Sequence, residues 1–320
     1  REALSAGEMR KILQTPEEEV WKLVRAAWAV RKKFFGRRAR IHVLLNARSG
    51  LCPEDCAYCS QSSAAATGVD KHPLVPKERI VAGARRAAQA KAFRYCISTS
   101  GRGPSDADIE ALCGAVREIK EEISIEICCS LGLLSAEHAR RLKAAGVDRV
   151  NHNLNTSERF HPEICGTHTY ADRIETLRNV KTAGLDVCCG VIAGMGETEE
   201  DLVAVASALR ELDVDSIPLN FLNPIPGTPL AGARALTPLW CFKILSLFRL
   251  ANPAKEVRVA GGSEVNLGEL RPLALFAANS LFVDGYLTTP GASAGDTHRF
   301  LEELGFEVEE CRQELFAAAG

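Results

Sequence analysis

Eight short runs rich in β-branched residues recur along the chain, most of them followed by a stretch of helical period, and this alternation limits most strictly how the chain can fold. The runs are RIHVLLNA, RYCISTS, SIEICCSL, RVNHNLNT, DVCCGVIAG, SIPLNFL, VRVAGG and NSLFVDGY. Between them lie ADIEALCGAVREIKEE, SAEHARRLKAAG, ADRIETLRNVKTAG and TEEDLVAVASALREL, amphipathic and often closed by glycine. A repeated strand and helix implies parallel strands joined by right-handed crossovers. Eight such units over roughly 250 residues have the size of a (β/α)8 TIM-type barrel, with an open doubly wound sheet as the alternative. We read residues 1–320 as one domain: an N-terminal helical extension (1–38), the barrel (39–290) and a C-terminal helical tail (291–320). In the extension, Thr15 as N-cap, Pro16 at the first helical position and Glu18 closing a capping box predict a helix running toward Gly36. Its Val20, Trp21, Val24, Ala27 and Trp28 recur at the spacing of a face packed on the body.

The stretch GLCPEDCAYCSQSS places Cys52, Cys56 and Cys59 in a C-x3-C-x2-C spacing. With 12 cysteines in 320 residues, that pattern is expected by chance only ~0.02 times, so it carries information by itself. Three thiols suit neither a disulfide nor a four-ligand structural zinc; they suit a cluster that keeps one metal position open.

Alternation along the strands assigns faces. Asn151, Asn153 and Asn155 share one face of the fourth run, with His152 and Leu154 on the other. Three amides inside a barrel require hydrogen-bond partners, which a polar ligand supplies; a solvated face is the bland alternative. Cys96, Cys128 and Cys188 lie on three strands and, pointing inward, would converge with Arg258 on a second metal group; small buried thiols are the alternative. Cys113, Cys165, Cys241 and Cys311 lack partner spacing and read as packing residues. In GVIAGMGETEED, Gly194 and Gly196 allow close backbone approach, and Thr198 with Asp201 forms a capping box. The turn is either an anion cradle at a helix N-terminus or simply tight. The seven histidines are scattered and none is assigned as a ligand.

Lys+Arg 39 against Asp+Glu 41 leaves no basic field to attract nucleic acid or anionic lipid. The charged opening REALSAGEMRK and the lack of any long apolar run point to a cytoplasmic protein without a membrane span, where 12 cysteines are not a disulfide framework.

The three-cysteine motif resembles the signature of radical S-adenosylmethionine enzymes. With VNHNLNTS, GMGET, SIPLNFLNPIPGTPL, VRVAGG and YLTTPG it is similar, more narrowly, to the biotin synthase family. That resemblance implies a homodimeric (β/α)8 barrel inserting sulfur into dethiobiotin, fed by an electron donor of flavodoxin or ferredoxin type. It implies S-adenosyl-L-methionine on a [4Fe-4S] cluster held by Cys52, Cys56 and Cys59, near Tyr58, Asn153, Asn155, Gly194, Gly196 and Glu197. It implies an auxiliary [2Fe-2S] cluster on Cys96, Cys128, Cys188 and Arg258, and a substrate site at Asn151, Asn153, Asn220, Thr288 and Thr289. The chain departs from many members at Ser263, where an arginine is common, and at Asn155, often an aspartate. With the extra Cys129 and Cys189, these leave a four-iron auxiliary cluster as the alternative. The rivals are a sibling radical enzyme acting on another small molecule and a non-enzymatic metal-binding protein.

Overall fold

A computed structural model describes residues 3–311. Eight parallel strands close on themselves: β1 (Arg38–Arg48), β2 (Arg94–Thr99), β3 (Glu126–Ser130), β4 (Arg149–Asn151), β5 in two pieces (Asp186–Cys188 and Val191–Ala193), β6 (Ser216–Phe221), β7 (Glu256–Val259) and β8 (Ser280–Val283). β8 returns to β1 with Ser280 opposite Arg40 and Val283 opposite Val43, so the sheet is a barrel and not an open layer. β5 breaks at Gly190, where a Cβ would lie 1.9 Å from the Pro218 carbonyl oxygen, an approach that only glycine permits. β9 (Glu307–Val308) adds beside the start of β1.

The crossover helices start where their first turns are capped. Ser105 with Asp108, Thr169 with Asp172 and Thr198 with Asp201 each form a reciprocal capping box, satisfying backbone donors the helix itself cannot. Alternation then sorts neighbouring residues between two cores. Cys129 and Cys189 join the large apolar layer between strands and helices, while Cys96 and Cys128 pack inside the barrel with Ala260 and Phe282.

The N-terminal extension differs from its sequence reading. A helix spans Ala6–Leu13, boxed by Ser5 and Glu8, and a second spans Val20–Phe35 with no side-chain cap. Thr15 donates its hydroxyl to the Lys11 carbonyl, closing the end of the first helix instead of opening the second. The intervening Glu17–Glu19 is a 3-10 turn. Pro16 stiffens the hinge, and the local pattern could not say which helix Thr15 serves. At the other end, helix Ala294–Glu303 is followed by β9, so the tail contains a strand as well as a helix; residues 312–320 lie outside the described part. No helix among the described residues is long and apolar enough to cross a membrane.

The lower barrel is a charged plug. Glu256 is buried and faces Arg149 Nη1 at 3.1 Å, Arg94 Nη1 and His42 Nε2 at 3.3 Å and Arg258 Nη2 at 2.5 Å. Burial would raise its carboxyl, but Arg94, Arg258 and Arg149 outweigh that and hold it well below the usual range.

Candidate functional site

Above the plug, at the C-terminal ends of the strands where barrel sites form, lies a cavity of about 310 Å³. Its mouth is the loop after β1. There Cys59 N–H donates to the Cys56 carbonyl, Ser62 N–H to Cys59 and Ser63 N–H to Glu54, coiling the loop so that Cys52, Cys56 and Cys59 all reach the cavity wall. Gly50 N–H donates to Gln61 Oε1 at 2.9 Å and ties the start of the loop to its end.

Cys96 and Cys128 stand opposite each other across β2 and β3 and line the cavity floor. Cys188 is buried just beneath, where its sulfur accepts from Asn151 Nδ2 at 3.3 Å and Arg258 Nη1 at 3.5 Å. Cys128 lies within hydrogen-bond reach of both Cys188 and Cys96. The first contact lowers its thiol, the second and burial raise it, and the net is a push up to about 12. Burial drives the Cys188 thiol well up. Arg258 also donates to Ser216 Oγ at 2.9 Å, yet its buried Nε has no protein partner. Three converging thiols and an orphaned guanidinium nitrogen fit an iron–sulfur group, and ligation there would release protons.

Between the two thiol sets stand the amides. Asn151 Nδ2 donates to Asn153 Oδ1 at 3.0 Å, and that oxygen also takes Gly190 N–H at 2.9 Å, sealing the break in β5. Asn220 joins the Val191 carbonyl to Gly261 N–H, each at 3.0 Å. β4 ends at Asn151, so alternation ends with it: His152, expected on the opposite face, also lines the cavity, while Leu154 is in the apolar core. Asn155 reaches the wall through a left-handed backbone with φ 68°, which asparagine tolerates better than most residues, and donates to the Tyr58 hydroxyl at 2.6 Å. Around Tyr58, Phe160, Ile192 and Leu222 form an apolar patch suited to a flat ring. Thr288 and Thr289 line the far side of the mouth, with Thr288 Oγ1 3.0 Å from Ser60 Oγ. Ser263 does not line the cavity; its hydroxyl accepts from Arg271 Nε at 3.0 Å.

Two sequence readings change here. Gly194, Gly196 and Glu197 do not line the cavity, and the turn's Gly194 and Met195 N–H groups are occupied by the Glu197 carboxylate at 2.6 and 2.7 Å. The chain's own acid fills the anion cradle. Cys165, read as packing, touches Cys56 at 3.7 Å and the ring of His168, which in turn pairs with Glu54. Arg173, unremarked in sequence, lines the cavity, donates to the Asn153 carbonyl at 2.7 Å and has a buried, unpartnered Nε. Nothing local marks either residue, because each meets the site from a segment distant in sequence.

His42 below the cavity and His152 on its wall are held neutral, His42 by burial and then Arg258, His152 by burial and then Arg173. Unfolded, each titrates near 6.5, so below that pH the unfolded chain binds protons that the folded chain does not. Stability is thus full above pH 6.5 and falls as pH drops through it, by up to about 1.4 kcal/mol per pH unit for each histidine. Urea unfolding of cluster-free protein at about pH 7.5 and about pH 5.5 checks this, with a clear fall in midpoint expected and an unchanged midpoint contradicting it.

The Radical SAM superfamily pattern matches residues 48–209, and the Biotin and Thiamin Synthesis associated domain matches 218–307, so the second covers β6 to β8 of the same barrel. The solved structure of methylornithine synthase overlays with a TM-score of 0.85 at 21% identity, covering 98% of this chain and 96% of that one, a likeness of fold. The chain is therefore a radical S-adenosylmethionine enzyme by superfamily, built on the TIM-type barrel. Biotin synthase of Lysinibacillus sphaericus (strain C3-41) is 51% identical over 306 residues, covering 96% of this chain and 92% of the relative. That of Bacillus subtilis (strain 168) is 50% identical over 302 residues, covering 94% and 90%. The chain belongs to the biotin synthase family.

Proposed function

We propose that the chain converts dethiobiotin to biotin, with Cys52, Cys56 and Cys59 holding a [4Fe-4S] cluster and Cys96, Cys128, Cys188 and Arg258 an auxiliary [2Fe-2S] cluster, a four-iron form being the alternative. The observation that carries this reading is one cavity with a thiol set at its mouth, a second thiol set with an unpartnered guanidinium nitrogen at its floor, and amides between. When bound, these groups supply reductive cleavage of S-adenosylmethionine to a 5'-deoxyadenosyl radical and the sulfur to be inserted.

The chain's own residues bind, orient and exclude water. No side chain acts as base on the substrate carbons, because alkyl C–H bonds are not acidic at any pKa a protein reaches. Asn151, Asn153 and Asn220 offer the paired donors and acceptors that a cyclic urea needs, and their hydrogen bonds to one another and to the backbone fix the amides in advance. Thr288 and Thr289 face the substrate's carboxylate end. Leu44, Phe282 and Tyr286 make the floor apolar around Cys96 and Cys128, keeping water from a carbon radical. Tyr58 and its apolar neighbours take the adenine, Asn155 the ribose, and Arg173 the methionine carboxylate of the cofactor. Reduction comes from a flavodoxin- or ferredoxin-type donor, and the enzyme works as a cytoplasmic homodimer.

Replacing Arg173 by alanine removes a charge-assisted contact worth about 1.5–3 kcal/mol, so KM for S-adenosylmethionine is expected to rise about 10- to 100-fold. Steady-state kinetics with that cofactor varied checks it; an unchanged KM removes Arg173 from the cofactor site. The reading as a whole is tested by 5'-deoxyadenosine formation in reduced, reconstituted enzyme. Formation rises with dethiobiotin and not with an amino acid; stimulation by an amino acid instead would favour a sibling radical enzyme.

A further inference from the structure

Sulfur insertion gives Cys165 no task, yet the fold sets its sulfur against a mouth thiol. Cys56 Sγ and Cys165 Sγ are 3.7 Å apart, across 109 positions of sequence. Both residues are buried, at 8% and 5% exposed, but of the two only Cys56 lines the cavity. Among the described residues, the donor atoms of Cys56, Cys165 and His168 all lie within 4.8 Å of one another, whereas Cys52, Cys56 and Cys59 do not converge that closely. The thiol that meets Cys56 is one outside the three-cysteine motif. An accessible cysteine beside a buried resolving one is the arrangement of a redox pair.

The backbone permits a bond as well as a contact. On one side of the pair, Ala57 N–H donates to the Ile164 carbonyl at 2.9 Å. On the other, Asp55 Oδ1 accepts from Gly166 N–H at 3.0 Å and Thr167 N–H at 3.2 Å. The two segments therefore pass in opposite directions, with Cys56 and Cys165 facing each other between the two ties. Facing residues of antiparallel segments have Cα atoms about 4.5–5.5 Å apart. That separation falls inside the range of about 4.4–6.8 Å that a disulfide spans. Closing from 3.7 Å to a disulfide bond of ~2.05 Å moves each sulfur by less than about 1 Å, a small rotation about its own Cα–Cβ bond.

We propose that Cys56 and Cys165 form a thiol–disulfide pair in the cluster-free chain, oxidised by a low-molecular-weight disulfide of the glutathione class, and that the Cys56–Cys165 disulfide withholds Cys56 from cluster assembly until it is reduced. Cys56, open to the cavity, attacks the small disulfide, becomes a mixed disulfide and releases one small thiol. Cys165 then attacks the Cys56 sulfur, closes the internal disulfide and releases the second. The protein gives up two electrons and two protons, and the oxidant leaves as two thiols. A cysteine bonded to iron has no free thiol to oxidise, so cluster and disulfide exclude each other. The effect on assembly rests on the ligand role proposed above for Cys56; the disulfide itself does not.

The test treats anaerobic, cluster-free, full-length protein with glutathione disulfide, blocks the remaining thiols and maps cross-links by mass spectrometry. The unsubstituted chain is expected to yield a Cys56–Cys165 cross-link, lighter by two hydrogens than the reduced peptides and free of glutathione. Cys165→Ser nearly keeps the shape of the thiol and should instead retain one glutathione on Cys56, while Cys56→Ser should leave Cys165 reduced. Iron uptake, read in a Cys128→Ala background to isolate the mouth, should be lost on oxidation and restored by a dithiol reductant. Cys56 cross-linked to Cys52 or Cys59, or Cys56 left carrying glutathione while Cys165 stays reduced in the unsubstituted chain, would overturn the pair and leave the ligand role of Cys56 untouched. A Cys56–Cys165 cross-link that does not alter iron uptake would overturn the withholding, and that ligand role with it.

Discussion

Cys128→Ala is expected to abolish the sulfur-inserted product, by more than about 100-fold, while reductive cleavage of S-adenosylmethionine continues near its ordinary rate. Cys128 sits on the barrel floor, opposite Cys96 and within hydrogen-bond reach of Cys188, and belongs to a different wall of the cavity from Cys52, Cys56 and Cys59. Removing it takes one thiol from the floor set and leaves the mouth loop intact. Cys59→Ala does the reverse and should stop both reactions, because without the mouth cluster nothing delivers an electron to the cofactor. Product and 5'-deoxyadenosine measured in parallel separate the two variants; product formation by Cys128→Ala at the wild-type rate would remove the floor thiols from sulfur donation.

The second large effect lies in stability. Glu256→Leu is expected to destabilise the fold by about 3–5 kcal/mol, because it leaves buried arginines facing one another without their shared carboxylate. Arg94 keeps Glu126 and Arg149 keeps Asp186 at 2.9 Å, but Arg258 has Glu256 as its ion-pair partner among the described residues. A domain is stable by about 5–15 kcal/mol in total, so the variant is expected to unfold at a much lower urea concentration or to fail to accumulate. Urea unfolding of cluster-free protein checks it, and a loss below about 1 kcal/mol would show that the plug is held by packing and not by charge. Retaining such a costly charged layer under the floor places Arg258 at Cys188 with its guanidinium fixed by Ser216 and Glu256.

What is legible in the sequence depends on range. The eight strands and their parallel order follow from alternation, a property of neighbouring residues, which also requires one cysteine of each adjacent pair, Cys128/Cys129 and Cys188/Cys189, to turn inward. Cys128 inside and Cys129 outside the barrel is that rule at work. The mouth thiols were legible because all three fall within eight residues. Where regular structure stops, so does the rule. His152 reaches the cavity because β4 ends at Asn151, and Asn155 because its backbone turns left-handed. Thr15 caps the helix before it, since an isolated cap signal has no direction of its own. Cys165 meets Cys56 across 109 positions, a contact made by the fold and written in no local pattern.

In the proposed reaction one cavity brings a radical source, a sulfur source and dethiobiotin together. The chain reconstituted anaerobically with heavy-sulfur-labelled sulfide, reduced and given S-adenosylmethionine and dethiobiotin is predicted to yield a product heavier by one labelled sulfur and lighter by two hydrogens. Cofactor cleavage without that mass change, or a product bearing unlabelled sulfur, would contradict the account.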